Sequence, residues 1–512
     1  MSSRFVGRPA ELDELHQRAA RAEGGIPQLV FVEGAAGIGK TSLLAQFATT
    51  LTGWRQLSAA GYEDEDRLPF GLLTRLLSSG RAFSTVDPPT VDPPTVDQQT
   101  VGPSTVDPPA LPSGTDPFVL GTELVQLLGD LEQSRPVVVV IDDAPWADPQ
   151  SLRALTFALR RLQAERVLVV LTMRPRDLTH LPPGLLHYGQ DRATHIRLIG
   201  FTTDEVSALF GQKGLGQLPQ RAAERLRLHT AGSPLHLATL FQELPVEELR
   251  RTRGPLPAPS SYANLVLAAL AGCAEPTRRL LIAAAVLGTQ CRLMQAAELG
   301  DVADPLPGLE EAARTGLVDA HEDADGWLVT FRHPLIRSAV YDDLGPATRS
   351  RLHGRAAAIQ HHKELAHRAA AAGGRIDPTL VAELVARARN AESLSSWTAA
   401  ADLLLTAARL SPAGSRQDGL LLDAIDLLLR AGEPAEAAVF AQQLAAMPGT
   451  VKRTLVQARW AAMEGRHNQV DVLARSVWNE GSPAERASAA AMLAQLAVLG
   501  SDNAGAVQWA RA

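Results

Sequence analysis

An eight-residue segment near the start of the chain has the residue types and spacing of a phosphate-binding loop. Residues 34–41 read Gly-Ala-Ala-Gly-Ile-Gly-Lys-Thr, which fits the pattern G-x-x-x-x-G-K-[ST]. Glycines allow backbone N–H groups to turn toward phosphate oxygens, and the start of a helix adds a favourable dipole. Lys40 then reaches the β- and γ-phosphates, and Thr41 offers a hydroxyl to magnesium. We therefore predict a site for ATP or ADP with Mg²⁺.

The predicted nucleotide contacts extend over the whole loop and into the helix that follows. They comprise Gly34, Ala35, Ala36, Gly37, Ile38, Gly39, Lys40, Thr41 and Ser42. Residues 28–32 before the loop form a short apolar run typical of a buried parallel strand, and a helical pattern begins at Ser42. Strand, glycine loop and helix follow in this order, which predicts an α/β P-loop NTPase with a parallel sheet.

Two carboxylates follow an unbroken apolar run about 100 residues later. Residues 137–141 read Val-Val-Val-Val-Ile, and Asp142 and Asp143 come directly after them. Carboxylates at the end of a buried strand are costly unless the strand opens onto a cation or hydrogen-bond donors. We predict that Asp142 is a magnesium ligand beside Thr41, and that Asp143 orients or deprotonates the attacking water with Lys40 as a catalytic partner. The alternative is a strand that runs into an Asp-rich turn.

A third apolar run leads to an arginine. Residues 166–172 read Arg-Val-Leu-Val-Val-Leu-Thr and are followed by Met173 and Arg174. If this run is a parallel strand, Thr172 and Arg174 lie at the carboxyl edge of the sheet, where such folds bind ligands. We predict Arg174 as a catalytic residue that senses the γ-phosphate. The alternative is an ordinary surface arginine.

Composition limits the class of protein. A chain of 512 residues is too long for one hydrophobic core, and the formal charge of −7 gives no basic surface along which nucleic acid could wrap. Cys273 and Cys291 lack metal-ligand spacing, so we interpret both as buried apolar residues in a reducing compartment. Neither a signal peptide nor an apolar run long enough to span a bilayer is present. We therefore predict a cytoplasmic, multidomain protein without a membrane segment.

Helical patterns behind the strand-rich region predict three further domains. The predicted boundaries are a P-loop ATPase domain at 1–200, a helical lid at 201–260, a winged helix at 261–355 and TPR-like helical repeats at 356–512. Within the first domain, residues 84–116 contain repeated Thr-Val-Asp-Pro-Pro units, which predict an extended, disordered insertion. A role for this insertion as a Pro-rich recognition motif is the alternative.

The helical repeats are inferred from glycines at a nearly constant spacing. Gly432, Gly465 and Gly500 each follow an apolar helical pattern, at spacings close to the 34-residue period of tetratricopeptide repeats. The alternative is a helical bundle that does not repeat. Because the array stops one helix after Gly500, without a capping helix, we expect the chain to be a fragment of a longer protein or a divergent member of its family.

Four blocks of sequence resemble the large ATP-binding regulators of the LuxR family. These regulators belong to the signal-transduction ATPases with numerous domains (STAND), which are relatives of the AAA class. The blocks are residues 5–12, the loop at 34–41, residues 142–155 and residues 172–175, and the resemblance covers roughly residues 1–350. It implies an ATPase that works as a slow switch rather than as a metabolic enzyme.

The resemblance also implies two contacts with the adenine. In such relatives the segment formed by Val6, Gly7 and Arg8 lies against the base, and a Gly-x-Pro turn in the lid contacts the nucleotide. In this chain that turn ends at Pro234, which the resemblance implies is packed on the adenine. On the residues alone, Gly232 and Pro234 predict only a corner between two helices.

Two further residues bear on switching. In related switch ATPases a histidine near the end of the winged helix contacts the β-phosphate of ADP, and His333 is the candidate for such a latch. The alternative is a histidine that caps the helix after Pro334. Motor ATPases often carry Glu at the second acidic position, whereas this chain has Asp143, whose shorter reach predicts weak ATPase activity.

These observations predict an ATP-binding regulator of the LuxR-family type, in which nucleotide occupancy shifts the lid and winged helix and the repeats sense an effector or a protein partner. Full-length relatives carry a C-terminal helix-turn-helix, and no segment after Gly500 is long or basic enough to be one. DNA binding therefore requires a missing C-terminal domain or a partner. The alternative is a signalling ATPase or scaffold that acts through proteins alone, and in either case we expect a nucleotide-dependent oligomer.

Overall fold

The structure is a computed structural model that describes residues 5–62, 69–84, 116–252, 254–500 and 502–511. It divides into two compact units. The first, here called the sheet unit, comprises Met1–Leu215 and Gly232–Thr239, and the second, here called the helical unit, comprises Gly216–Ala231 and Leu240–Ala512. The insertion predicted for 84–116 lies outside the described residues except at its two ends.

Five parallel strands form the centre of the sheet unit. They are β1 (Gln28–Glu33), β2 (Arg55–Ala60), β3 (Val137–Asp142), β4 (Val167–Met173) and β5 (Ala193–Arg197). Their order across the sheet is β2-β3-β4-β1-β5, with Val30 of β1 opposite Val170 of β4. Because all pairs are parallel, the carboxyl ends of β1, β4 and β3 meet at one edge of the sheet.

Helices cover both faces of this sheet. They are α1 (Pro9–Glu23), α2 (Lys40–Thr50), α3 (Gly71–Ser84), α4 (Pro117–Glu132), α5 (Pro149–Leu159) and α6 (Pro183–Arg192), and α7 (Thr203–Gln212) follows the last strand in the chain. Successive residues of β1 face different cores: Val30 packs in a core with Phe47 of α2, and Phe31 packs in a core with Leu124 of α4. Burial of both faces explains why β1, β3 and β4 are unbroken apolar runs rather than alternating ones.

The helical unit contains the remaining helices and three short strands. Its first helices are α8 (Gln220–Thr230), α9 (Pro234–Glu243), which begins in the sheet unit, α10 (Val246–Leu249), α11 (Ser260–Ala271), α12 (Glu275–Leu287), α13 (Leu293–Gly300), α14 (Leu306–Arg314), α15 (Pro334–Asp342), α16 (Pro346–Ile359) and α17 (Glu364–Ala372). They are followed by α18 (Pro378–Ser393), α19 (Trp397–Arg409), α20 (Ser415–Arg430), α21 (Pro434–Ala437), α22 (Ala441–Ala446), α23 (Val451–Met463), α24 (His467–Glu480), α25 (Pro483–Leu499) and α26 (Asn503–Arg511). The strands are β6 (Gln290–Arg292), β7 (Val318–Asp323) and β8 (Gly326–Phe331).

A small antiparallel sheet lies among the first of these helices. Strands β7 and β8 form a hairpin, in which Val318 is opposite Phe331, and β6 pairs with the other edge of β8. Phe331 shares one buried core with Leu281 of α12 and Leu335 of α15. Helices that enclose a hairpin in this order are consistent with the winged helix, whose boundaries stay a prediction.

The glycines used to infer the repeats are not equivalent. Gly432 and Gly465 have positive φ angles of 78° and 71°, the left-handed conformation that favours glycine after a helix. Gly500 has a φ angle of −81°, so it ends α25 without that turn. The TPR-like assignment therefore stays a prediction. The predicted fold class, a parallel α/β P-loop unit followed by a large helical part, is confirmed.

Candidate functional site

The glycine loop connects β1 to α2 at the carboxyl edge of the sheet. Gly37 and Gly39 have φ angles of 71° and 96°, which residues with a side chain rarely adopt. A Cβ atom on Gly34 would lie 2.7 Å from Ile38 Cγ2, so the loop folds too tightly for a larger residue there. Gly39 precedes α2 and has no side chain that could cap the helix. The first amides of α2 therefore receive no hydrogen-bond acceptor from a capping side chain. An anion at this helix N-terminus would be stabilised by them.

Lys40 lies inside this loop. Its Nζ donates hydrogen bonds to Gly34 O at 3.0 Å and Ala35 O at 3.2 Å, and the residue is only 7% exposed. Burial lowers the pKa of Lys40, and the nearby Asp143 carboxylate opposes this effect. A buried ammonium group that is held by neutral carbonyls leaves its charge only partly compensated, so the arrangement fits a phosphate group.

Asp142 is held by two hydroxyl groups. Thr41 Oγ1 donates to Asp142 Oδ2 at 2.7 Å, and Thr172 Oγ1 donates to the other carboxylate oxygen. Thr172 is fully buried on β4, which lies between β1 and β3, and it also accepts a hydrogen bond from Asp143 N at 2.8 Å. The structure therefore brings together the two residues predicted for magnesium. A hydroxyl and a carboxylate are oxygen ligands of the kind that Mg²⁺ prefers.

Thr172 was considered in the sequence only as a residue at the sheet edge. Its function as the donor that orients Asp142 depends on the strand order, because β4 must separate β1 from β3. The signal available in the sequence was a lone hydroxyl residue at the end of a strand that is otherwise apolar. Such a hydroxyl, if fully buried, is expected to form a hydrogen bond.

Asp143 starts a tight turn. Its φ angle of 45° lies in the left-handed region, which Asp tolerates better than most residues, and its carbonyl accepts from Trp146 N at 3.0 Å. A Cβ on Gly61 would lie 2.6 Å from Asp143 O, so the ends of β2 and β3 are packed closely. The turn holds Asp143 near Lys40, as their electrostatic interaction indicates.

A third aspartate in this region has a structural role that the sequence analysis missed. Asp148 is 3% exposed and caps α5 by accepting from Ser151 N at 2.8 Å. It also accepts from Phe70 N at 2.9 Å, which ties the start of α3 to α5. Asp148 followed by Pro149 is a recognisable helix start, but its second partner lies 78 residues earlier and leaves no local signal.

The N-terminal block packs beside the loop. Arg8 is 5% exposed and has a φ angle of 66°. Its guanidinium donates to Ile38 O and Ile199 O and lies 5.3 Å from the centre of the Phe201 ring. Gly7 also has a positive φ angle, and a Cβ there would lie 2.3 Å from Glu205 Oε1. Val6 precedes these two residues and is half-buried. The base contact implied for this block stays a prediction.

The turn at Pro234 also contacts the loop. Ser233 Oγ donates to Gly37 O at 3.2 Å, and Leu235 N donates to the same oxygen at 3.3 Å. The ring of Pro234 lies 3.9 Å from the position that a Cβ on Gly39 would occupy. The turn is therefore more than a corner between helices, since it is bonded to the phosphate-binding loop. Its contact with adenine stays a prediction.

His333 lies in the helical unit and caps α15. Its Nδ1 accepts from Leu335 N at 3.2 Å, and its ring centre is 5.9 Å from that of Tyr262. This is the capping role considered as the alternative. The nucleotide latch stays a prediction.

Arg174 follows β4 directly, at the edge where the loop lies. It is 44% exposed and its Nε is 3.8 Å from Asp177 Oδ2. Burial is the main cause that lowers the pKa of Lys40, and Asp143 raises it. The positive charge of Arg174 lowers this pKa further. Arg174 also follows Met173, whose carbonyl accepts from Gly34 N of the loop at 3.1 Å, and its contact with a γ-phosphate stays a prediction.

Comparisons with known proteins agree with this site. Residues 4–170, about a third of the chain, match the family model of the AAA ATPase domain. The relationship to AAA-type ATPases is thereby confirmed for this stretch, whereas the LuxR-type assignment is a proposal. No curated protein matches the chain significantly.

Solved structures with a similar arrangement include three archaeal proteins. The Aeropyrum pernix ORC2 protein is 13% identical over 66% of this chain and 94% of its own, with a TM-score of 0.41. A STAND protein with a tetratricopeptide repeat sensor from Pyrococcus horikoshii is 13% identical over 99% of this chain and 76% of its own, with a TM-score of 0.30. CDC6P from Pyrobaculum aerophilum is 14% identical over 67% of this chain and 98% of its own, with a TM-score of 0.32.

One observation concerns membranes. In the ranges that the structure describes, no helix combines the length and the apolar character needed to cross a bilayer.

Proposed function

We propose that the protein is an ATP-binding regulatory switch that hydrolyses ATP slowly. The observation that carries this proposal is the buried Lys40 ammonium, which is held on Gly34 O and Ala35 O beside the bonded pair of Thr41 and Asp142. A lysine ammonium group next to a hydroxyl and a carboxylate oxygen is suited to phosphates that carry Mg²⁺. Few other ligands need both groups at an open helix N-terminus.

Each residue of the site has a defined task in this proposal. The first amides of α2 donate to the phosphates, and Lys40 neutralises charge on them. Thr41 and Asp142 hold the cation, while Thr172 fixes the orientation of Asp142. A bound magnesium nucleotide supplies the scissile phosphoanhydride and the charge of the metal ion.

Hydrolysis is expected to be slow because of Asp143. Its side chain is one methylene shorter than the glutamate common in motor ATPases, and the turn fixes its backbone close to β3. A water molecule that Asp143 orients is therefore held farther from the phosphate than a glutamate would hold it. Slow hydrolysis suits a switch, since the state with bound ATP must last long enough to be read by a partner.

The contacts of α8 with the later helices, and its direct chain connection to the Gly-x-Pro turn, support transmission to the repeats. Within the helical unit, Arg221 of α8 donates to Glu433 Oε1 at 2.7 Å and its Nε is 2.8 Å from Glu436 Oε1. Glu436 is 2% exposed, so this pair is a firm attachment of α8 to the helices after α20. The chain continues from α8 into the Gly-x-Pro turn at Pro234. We infer that a change at the phosphates is passed through this turn and α8.

The output of the switch is the finer part of the proposal. We propose a transcriptional regulator of the LuxR-family type, with an effector or partner on the helical repeats and DNA contacted through a further domain or partner. A cleft of about 1150 Å³ along α19 and α20 supports a ligand-binding role for the repeats. The second candidate is a signalling ATPase that acts through proteins alone. Nucleotide-dependent DNA binding by this chain together with that further domain or partner would count against this second candidate.

The proposal is tested by calorimetry with ATP and with ADP, in the presence and absence of magnesium. We expect wild-type protein to bind both nucleotides, Lys40→Ala to lose binding, and Thr41→Ala to lose the dependence on magnesium. Lys213→Ala is the matched control, because Lys213 is an exposed lysine of the same unit at the end of α7. Equal binding by wild type and Lys40→Ala, or binding by neither, would refute the nucleotide site.

A further inference from the structure

Asp177 is a charged residue beside the site for which the proposed switch has no role so far. It begins a short 3₁₀ helix, Asp177–His180, and its N–H donates to Arg174 O at 3.0 Å. The same helix is fixed from the other side, because the rings of His180 and Trp146 lie 5.2 Å apart. Trp146 belongs to the turn that follows Asp143. Asp177 is thus positioned by the same turn that positions Asp143.

The pair formed by Arg174 and Asp177 is incomplete. Arg174 Nε and Asp177 Oδ2 are 3.8 Å apart, which is too long for a hydrogen bond. Among the described residues, Asp177 Oδ2 has no hydrogen-bond partner although the atom is buried. An unsatisfied carboxylate oxygen carries a desolvation cost, so the attraction to the half-exposed Arg174 is its main compensation.

Both charges also act on the phosphate-binding lysine. Burial is the largest influence on the pKa of Lys40 and lowers it; Arg174 lowers it further, and Asp177 raises it. The geometry agrees, because Met173, the residue before Arg174, accepts a hydrogen bond from Gly34 N of the phosphate-binding loop at 3.1 Å. Arg174 has five N–H donors and its ion pair with Asp177 is long, so its guanidinium can bind a second anion.

We propose that Asp177 is a positioning residue that competes with the terminal phosphate of a bound nucleotide for Arg174, and thereby sets the preference for ATP over ADP. This inference rests on the proposed nucleotide site. With a diphosphate, Arg174 stays beside Asp177, because no γ-phosphate attracts it. With a triphosphate, Arg174 leaves Asp177 for the γ-phosphate, and the loss of that attraction reduces the gain in affinity.

The test is a double-mutant cycle of Asp177→Asn and Arg174→Gln. Affinities for a non-hydrolysable ATP analogue and for ADP are measured by calorimetry with magnesium, and the readout is their ratio. Asp177→Asn should raise the preference for the triphosphate about fivefold, the size expected for one partly exposed ion pair. In the Arg174→Gln background the same substitution should change the ratio by less than about twofold.

Two further variants separate positioning from structure. Asp177→Glu keeps the charge and should stay near the wild-type ratio. Asp471→Asn removes the partner of Arg475 in helix α24 of the helical unit and should leave the ratio unchanged. The inference is overturned if Asp177→Asn lowers the ratio or leaves it unchanged, or if it raises the ratio equally without Arg174. If the wild type binds neither nucleotide, the proposed function is refuted, and this inference is refuted with it.

Discussion

Lys40 and Arg225 are cationic side chains that donate hydrogen bonds to backbone carbonyl groups, and they differ in what else they contact. Lys40 of the sheet unit donates to two carbonyls and lies at the start of a helix whose first amides have no partner within that helix. Arg225 of the helical unit donates to four carbonyls, those of Glu248, Arg251, Gly254 and Pro255. Burial lowers the pKa of Arg225 to about 10.

The difference teaches how to distinguish a binding group from a structural one. The donors of Arg225 are engaged by α10 and the segment that follows it, so this residue attaches both to α8. Lys40 adjoins amides, a hydroxyl and a carboxylate that all converge on the same open edge of the sheet. A cation whose N–H groups all have acceptors within the protein stabilises the fold. A cation that lies beside other hydrogen-bond donors without acceptors is suited to bind an anion.

The largest effect is expected from removal of Arg225. Arg225→Ala should lower the free energy of unfolding by about 2 kcal/mol, because four carbonyls of α10 and the segment after it lose their common donor. Urea unfolding followed by tryptophan fluorescence measures this change without nucleotide. Arg389→Ala, on an exposed position of α18, is the control and should change the midpoint little. A loss below about 1 kcal/mol for Arg225→Ala would mean that water replaces the guanidinium, and the comparison would fail.

A smaller effect is expected at Thr172. Thr172→Val keeps the shape of the side chain but removes the hydroxyl that orients Asp142, and should cost about 1 kcal/mol of stability. The magnesium-dependent part of the affinity for ATP should fall about tenfold, as for other residues that orient a metal ligand. Calorimetry at varied magnesium concentration gives this value.

Thr156→Val is the matched control for Thr172→Val. Thr156 is also buried, but its hydroxyl donates to Leu152 O within α5, away from the sheet edge. Its replacement should leave the dependence on magnesium intact. If Thr172→Val leaves that dependence intact as well, Asp142 does not need Thr172 to face the metal ion.

The sequence predicts the phosphate loop well because the chemistry there depends on adjacent residues. Gly34, Gly37, Gly39, Lys40 and Thr41 each serve a task that fixes their type, and their spacing is set by one loop. The bounds of the three strands that lead into the site, β1, β3 and β4, were predicted to within one residue. Their unbroken apolar character follows from burial on both faces of a parallel sheet.

Contacts between distant segments were not predictable in this way. The partners of Arg225 lie 23 to 30 residues away, and Arg221 reaches Glu433 across 212 residues. Arginine is common in this chain, so neither residue stands out by its type. The glycines behind the predicted repeats differ among themselves: Gly500 matches the spacing of Gly432 and Gly465 but lacks their left-handed turn. Spacing alone does not specify backbone conformation.

The smallest effect concerns the charge on Lys40. Lys40→Met should change the free energy of unfolding of nucleotide-free protein by less than about 1 kcal/mol, because an apolar chain of similar size replaces a buried charge. Its pKa is lowered in the folded protein, so the unfolded chain keeps this proton to higher pH. Stability rises with pH wherever the unfolded state binds more protons. The wild type should therefore gain stability relative to Lys40→Met as the pH rises toward the unfolded pKa of 10.5.

Urea unfolding at about pH 7 and about pH 9.5 measures this difference, and other titrating groups cancel between the two variants. Lys213→Met is the control for the replacement of a lysine by methionine, because Lys213 is exposed at the end of α7. Bound ATP should reverse the sign, since an anion favours the charged lysine and affinity then falls as the proton is lost. If the wild type loses stability relative to Lys40→Met as the pH rises, Lys40 is already compensated by its own chain. It would then be a structural cation like Arg225, rather than a group that awaits a phosphate.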